Sequence, residues 1–237
     1  MISKPNRVEI DHHTIKLIIG IFAISLATLT SLFSETPLTS ISASYYADGW
    51  SRNIFVGFLF AISAFLLAYN GKSAPEFVLS KLAAVAAIGV AMFPCKCGSH
   101  TEIIPYIHYI SAAVMFLILV GFCYIFFQRA YAKGHTQAKF RASIYALCGI
   151  TILTSIAIIV VNTLLADVIS LKISRLIFFC EAAGLIAFGV AWLSASRCLP
   201  LITSEKERIS LLPASDKEAK PDADKNTSYV TTGQWQS

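Results

Sequence analysis

Charged side chains are scarce in this sequence. Asp, Glu, Lys and Arg make up 14% of its 237 residues, against 56% hydrophobic. Soluble domains run near a quarter charged, so a soluble globular fold is excluded. The few charges are gathered in short islands between long uncharged runs. Histidine is scarce as well, with five in all, and only His108 falls inside an uncharged run. Haem held between membrane helices needs paired histidines, and a zinc-dependent membrane hydrolase needs several histidines and an acid; both are set aside. There is no G-x-S-x-G elbow and no G-x-x-x-x-G-K-[ST] loop. Ten-residue alternating strands are missing too, which excludes a β-barrel.

What is present is a series of uncharged runs, at residues 17–34, 53–71, 82–95, 103–128, 142–166 and 176–196. About 20 apolar residues cover a hydrocarbon core of roughly 30 Å. Lipid offers the backbone no hydrogen-bond partner, so each span must be helical. The expected fold class is therefore all-α: an integral membrane bundle of six transmembrane helices. Pro75 precedes the third span, Pro94 closes it, and Pro105 is expected in the first turn of the fourth. The first run is too long for a signal-peptide core, and is read as a retained span that also serves as the targeting signal.

Lys and Arg set the orientation. The N-terminal segment, the 72–81 and 129–141 loops and the start of the C-terminal segment carry Lys4, Arg7, Lys16, Lys72, Lys81, Arg129, Lys133, Lys139, Arg141, Arg197, Lys206 and Arg208. The opposite segments carry only Arg52, Lys96, Lys172 and Arg175. Both termini are expected in the cytoplasm. The division that follows is a cytoplasmic N-terminal tail at 1–16, a six-helix domain at 17–203, and a polar tail at 204–237 expected to be disordered and cytoplasmic. The net charge of +5 sits at the ends of apolar runs, where lipid headgroups account for it. With no aromatic-interleaved basic patch, nucleic acid is not an expected partner.

Polar residues within or beside the spans fall mostly toward the non-cytoplasmic side. Ser42, Tyr45, Asp48 and Arg52 lie in or beside the loop after the first span. His108 lies roughly 8 Å into the fourth span, at ~1.5 Å per residue. Asn162, Arg175 and Glu181 complete the set. A carboxylate in a span is costly and should find a partner inside the bundle. Arg52, His108 and Arg175 are the expected partners of Glu181. The group reads either as an outward-facing pocket for a lipid headgroup or small solute, or as a structural ion pair that fixes helix register.

Cys95 and Cys97 follow the third span on the same side, where an oxidising compartment allows a disulfide with each other or with another chain. Inert loop thiols are the alternative. A metal site needs about four ligands, and with His100 this cluster falls short, so neither metal nor cofactor is expected. Ala83, Ala87 and Ala91, and likewise Ala183, Ala187 and Ala191, form small-residue faces suited to close helix contact. Such faces serve packing within the chain or a homo-oligomer. Tyr45, Tyr46, Trp50, Tyr106 and Tyr109 read as an interfacial aromatic belt.

The segments Ser40-Ile-Ser-Ala-Ser-Tyr-Tyr46, Arg52-Asn-Ile-Phe-Val-Gly57, Phe93-Pro94 and Ile107-His-Tyr-Ile-Ser-Ala112 together resemble a group of uncharacterised bacterial multi-pass inner-membrane proteins. More loosely, they resemble the DRAM/Sfk-like and related domain-of-unknown-function families. The resemblance spans residues 38–128. It implies that Ser42, Tyr45, Arg52 and His108 belong to one recurring arrangement, and it implies no activity.

The first functional expectation is therefore a non-enzymatic protein of the cell (inner) membrane that binds a lipid or small solute. Arg52 would meet an anionic group, Glu181 would orient it, and His108 would hydrogen-bond or sense pH. The alternatives are a lipid-modifying enzyme using His108 or Glu181 as acid/base, and a small transporter or channel subunit.

Overall fold

The computed structural model describes residues 12–97, 104–165, 169 and 172–199. It contains six helices long and apolar enough to cross a membrane: α1 (His12–Leu32), α2 (Trp50–Ala68), α3 (Ala74–Met92), α4 (Ile107–Tyr131), α5 (Thr136–Leu164) and α6 (Leu176–Ser196). A 3₁₀ turn, Ser42–Tyr46, lies between α1 and α2. Among the described residues there is no strand. The tail expected at 204–237 lies outside the described residues.

Each helix packs on its sequence neighbours, and α6 returns to pack on α1. The six helices thus form a closed ring in chain order. Nδ1 of His13, near the start of α1, stands 2.9 Å from the carbonyl of Ser196 at the end of α6. The bundle is therefore entered and left at the same end, here called the inner end. The other is the outer end.

In lipid there is no hydrophobic drive between helices, so close packing has to hold the ring. The tightest contact joins α1 to α6 at Gly20 and Gly189. A Cβ on Gly20 would lie 2.9 Å from the Gly189 carbonyl, and one on Gly189 would lie 2.8 Å from the Gly20 carbonyl. Ala83, Ala87, Ala91, Ala187 and Ala191 are buried within the chain. These small residues serve contact between the chain's own helices, and Ala183 of the second face is half-buried. Toward the inner half, Tyr69, Phe122, Phe126, Phe188 and Trp192 form an aromatic knot, with ring centroids 5.2 Å apart for Tyr69–Trp192 and Phe122–Trp192. These rings come from the end of α2, from α4 and from α6, alternate members of the ring, so they meet at its axis.

At the inner end three helices start earlier than their uncharged runs: α1 at His12, α3 at Ala74 and α5 at Thr136. Each of these extensions continues the buried stripe of the helix by one to two turns and carries a charged residue inward. Lys16, Glu76 and Arg141 are all buried. The expectation that ionisable groups gather at the outer half is thereby corrected, because the inner end buries charges of its own. Pro105 also differs from expectation. It precedes α4, which begins at Ile107 after Tyr106 in the left-handed region (φ 65°).

Candidate functional site

At the outer end the loop after α1 is pinned from several sides. Glu181, in the second turn of α6, accepts from the backbone N–H of Ile41 at 2.5 Å and from the Ser42 hydroxyl at 3.3 Å. Ser42 Oγ also lies 3.1 Å from Nε2 of His108. Nδ1 of His108 donates to the Phe93 carbonyl at 2.7 Å, and a carbonyl only accepts, so Nδ1 carries hydrogen. A neutral imidazole then leaves Nε2 as an acceptor, competing with Glu181 for the single Ser42 proton. In the imidazolium form Nε2–H donates to Ser42, whose own proton goes to Glu181.

Arg175 holds the start of the same loop. Its Nε donates to the Leu38 carbonyl at 2.8 Å, its Nη2 reaches Ser31 Oγ at 3.2 Å, and its guanidinium lies 4.2 Å from the Phe178 ring centroid. The Tyr46 hydroxyl donates to the Cys95 carbonyl at 2.9 Å, and Cys95 is joined to Cys97 by a disulfide.

Glu181 is thus held by a backbone N–H and a hydroxyl, not by Arg52 or Arg175 as expected. Both arginines are directed elsewhere, Arg175 onto the loop backbone and Arg52 onto Tyr45. The neutral donors are simply nearer, because the 3₁₀ turn presents them where the α6 carboxylate ends.

The 3₁₀ turn in turn places Tyr45 against α2. The Arg52 guanidinium lies 4.7 Å from the Tyr45 ring centroid. These two, with Asn53, Val56, Ala91 and Met92, line a cleft of roughly 190 Å³ at the outer ends of α2 and α3. Arg52, Asn53 and Met92 are exposed, so the cleft opens on the flank of the bundle. Ser42, His108 and Glu181 do not line it; they fix the turn that carries one wall. Asp48 is exposed on the loop before α2 and Asn162 is fully buried on α5. Among the described residues, the hydrogen bonds of Glu181 go to Ile41 and Ser42.

The inner end holds a group that the uncharged runs did not reveal. Glu76, with no exposed surface, is paired with Arg129 of α4. It also accepts from the Tyr69 hydroxyl at 2.7 Å and from the backbone N–H of Lys72 at 3.0 Å. Burial, and then the bond to Glu76, hold the Tyr69 phenol well above its ordinary range, so it stays a donor. The Lys16 ammonium lies over the Tyr69 and Phe126 rings, 5.4 and 4.9 Å from their centroids. Helical phase was the available signal: Lys16 shares a face with buried Ile19 and Ala23, and Glu76 with buried Ser80 and Ala83.

The chain is a multi-pass membrane protein by its six apolar spans, and compared with family models, curated proteins and solved structures it matches none.

Proposed function

We propose that this chain is a non-enzymatic membrane protein that binds the phosphate-bearing headgroup of a membrane lipid in the outer cleft. One observation carries the reading. Arg52 stands on Tyr45 at the polar rim of the roughly 190 Å³ cleft, and Val56, Ala91 and Met92 form its apolar wall. A guanidinium suits phosphate through paired N–H donors, and the apolar wall suits the first carbons of acyl chains. Glu181, Ser42, His108 and Arg175 act as positioning residues that hold the Ser42–Tyr46 turn in place. The Lys and Arg bias supports a cleft on the non-cytoplasmic face of a cell membrane, with the flanking segments, 204–237 included, in the cytoplasm. The disulfide fits that assignment.

The test is lipid retention by the purified full chain, read by native mass spectrometry after reconstitution in mixed phosphatidylcholine and phosphatidylglycerol. Arg52→Gln is expected to weaken phosphatidylglycerol retention by about tenfold, the value of one charge-assisted contact, with the protein still folded. Undiminished retention in Arg52→Gln overturns the reading.

A lipid-modifying enzyme is the second reading, favoured by the meeting of His108 and Glu181 at Ser42 Oγ. It requires Ser42 to react with a lipid-like fluorophosphonate probe, and the binding reading expects no adduct. A transporter needs a polar path along the axis, where the aromatic knot stands.

A further inference from the structure

At the outer end the segment after α3 is gripped through its backbone. The Phe93 carbonyl accepts from Nδ1 of His108 at 2.7 Å and the Lys96 carbonyl from the Tyr109 hydroxyl at 3.2 Å, both on α4. The Cys95 carbonyl accepts from the Tyr46 hydroxyl at 2.9 Å and from the Cys97 N–H at 3.0 Å, which uses both of its lone pairs. A disulfide sulfur carries no hydrogen, so in the contact of Cys97 with Ser40, at 3.9 Å, the serine hydroxyl donates. Ser40 Oγ in turn accepts from the Ala43 N–H at 3.0 Å. The cysteine segment therefore touches the 3₁₀ turn at both ends, at Ser40 just before it and at Tyr46, its last residue.

Tyr46 passes this hold to the cleft. Its ring stands edge-on to Tyr45, with centroids 5.4 Å apart, and the Arg52 guanidinium lies over Tyr45. The opposite wall, Ala91 and Met92, ends directly at Phe93. The Cys95–Cys97 bond thus joins no helix to another; it shapes the one short segment on which both walls lean. Its ring spans three residues, since the cysteines are two apart in sequence. The stabilisation a disulfide gives grows with the loop it closes. This one therefore adds little to the bundle and can open while the helices stay packed. The two sulfurs are unequal. Cys95 is buried and Cys97 half-buried, so an incoming thiolate meets Cys97 first. Lys96 is exposed between them, and a neighbouring cation favours the thiolate that leaves.

We propose that Cys95–Cys97 is a thiol–disulfide exchange site, served by a dithiol protein on the outer face, whose redox state latches and releases the Ser42–Tyr46 turn. The partner's thiolate attacks Cys97 Sγ, the S–S bond breaks, and Cys95 Sγ leaves with the electron pair and takes a proton from water. The partner's second thiolate then attacks its own sulfur in the mixed disulfide, and Cys97 Sγ leaves and is protonated likewise. The chain gains two electrons and two protons, and the partner loses them and becomes a disulfide. Freed of its ring, the 93–97 segment no longer holds Ser40 and Tyr46 in register. Glu181 still holds Ile41 and Ser42, so the turn loosens at its Tyr46 end without unfolding, and the wall carried by Tyr45 loosens with it. The effect on lipid binding rests on the outer-cleft reading; the effect on the turn does not.

The experiment uses the purified full chain in phosphatidylcholine nanodiscs, oxidised or treated with dithiothreitol, and reads hydrogen exchange by mass spectrometry. Reduction should speed exchange in peptides covering residues 43–47 by about fivefold, as loss of one hydrogen bond allows, and leave α1 and α6 protected. The double variant Cys95→Ser, Cys97→Ser should exchange like the reduced parent and ignore dithiothreitol. Tyr46→Phe keeps the ring contact but lacks the bond to the Cys95 carbonyl, so its turn should exchange fast in both states. Oxidised glutathione should cap Cys97 in Cys95→Ser much faster than Cys95 in Cys97→Ser. Unchanged exchange at residues 43–47 on reduction overturns the latch. Equal loss of protection throughout the bundle overturns it as well, because the bond is then a general support. Capping of both cysteines at one rate overturns the assigned point of attack. With phosphatidylglycerol added, the parent should retain less of it once reduced. If Arg52→Gln retains phosphatidylglycerol like the parent, the outer-cleft reading fails, and the exchange data still decide the latch.

Discussion

Nε2 of His108, on α4, stands 3.1 Å from the hydroxyl of Ser42, and that hydroxyl is the bridge to Glu181 on α6. Two helices that are not neighbours in the ring's sequence of contacts near Ser42 are thereby tied to one short turn. The turn carries Tyr45, and Tyr45 carries Arg52. The polar network therefore acts on the cleft at one remove, by geometry.

The first prediction concerns that network. Glu181→Ala leaves the buried N–H of Ile41 without its acceptor, which costs about 1–3 kcal/mol. Glu181→Gln keeps a carbonyl oxygen for that N–H and should lose less. In detergent, the melting temperature should fall in the order parent, Glu181→Gln, Glu181→Ala. Limited proteolysis should cut residues 34–49 faster in Glu181→Ala. Equal melting of all three proteins would show that the turn is held by other contacts.

Glycine positions make a second, sharper comparison. Gly20→Ala and Gly189→Ala each place a Cβ under 3 Å from a backbone carbonyl on the facing helix. Neither carbonyl can swing aside as a side chain would, so α1 and α6 must separate. Overpacking of this kind costs about 1–3 kcal/mol. Gly57 in α2 has nothing within 4 Å of its added Cβ, and Gly57→Ala should be neutral or stabilising by up to about 1 kcal/mol through helix propensity. Unfolding in a denaturing detergent titration measures all three. Equal effects would mean that helix contact at Gly20 and Gly189 is not what holds the ring closed.

The Glu76–Arg129 pair gives the third. Its partners differ in exposure: Glu76 is fully buried, whereas the Arg129 side chain is 31% exposed. Arg129→Met therefore strands a carboxylate inside the bundle, a loss of about 3–5 kcal/mol. Glu76→Gln keeps the acceptor for the Tyr69 hydroxyl and lets the half-exposed arginine reach water, so it should cost less. The double variant should be more stable than Arg129→Met alone, as expected for coupled neighbours. Additive losses would show that the pair does not interact.

The spans, their helical state and the shared side of the two ends follow from where charge is missing, because a hydrocarbon core tolerates little else. Inner helix starts were less legible. Lys16, Glu76 and Arg141 look like charges that close a span, and they do sit at its edge. They are nevertheless in phase with Ile19, Ser80 and Tyr145, and extending each buried stripe by one to two turns places them inside. Partner choice was not legible at all. Glu181 has arginines nearby in sequence logic, yet a turn of five residues brings Ile41 N–H and Ser42 closer, and a 3₁₀ turn leaves no apolar period to read.

The last prediction uses the cysteines to test which face is which. Cys95 and Cys97 form a disulfide beside the outer loop, and Cys198 follows the inner end of α6 as a half-exposed free thiol. Cytosolic reductants keep such a bond open, whereas an exported face lets it persist. A membrane-impermeant maleimide added to intact cells should therefore label nothing on this chain until an impermeant reductant is supplied. In Cys95→Ser the half-exposed Cys97 should label without reductant. Cys198 should label only after the membrane is opened. Labelling of Cys198 from outside would invert the bundle.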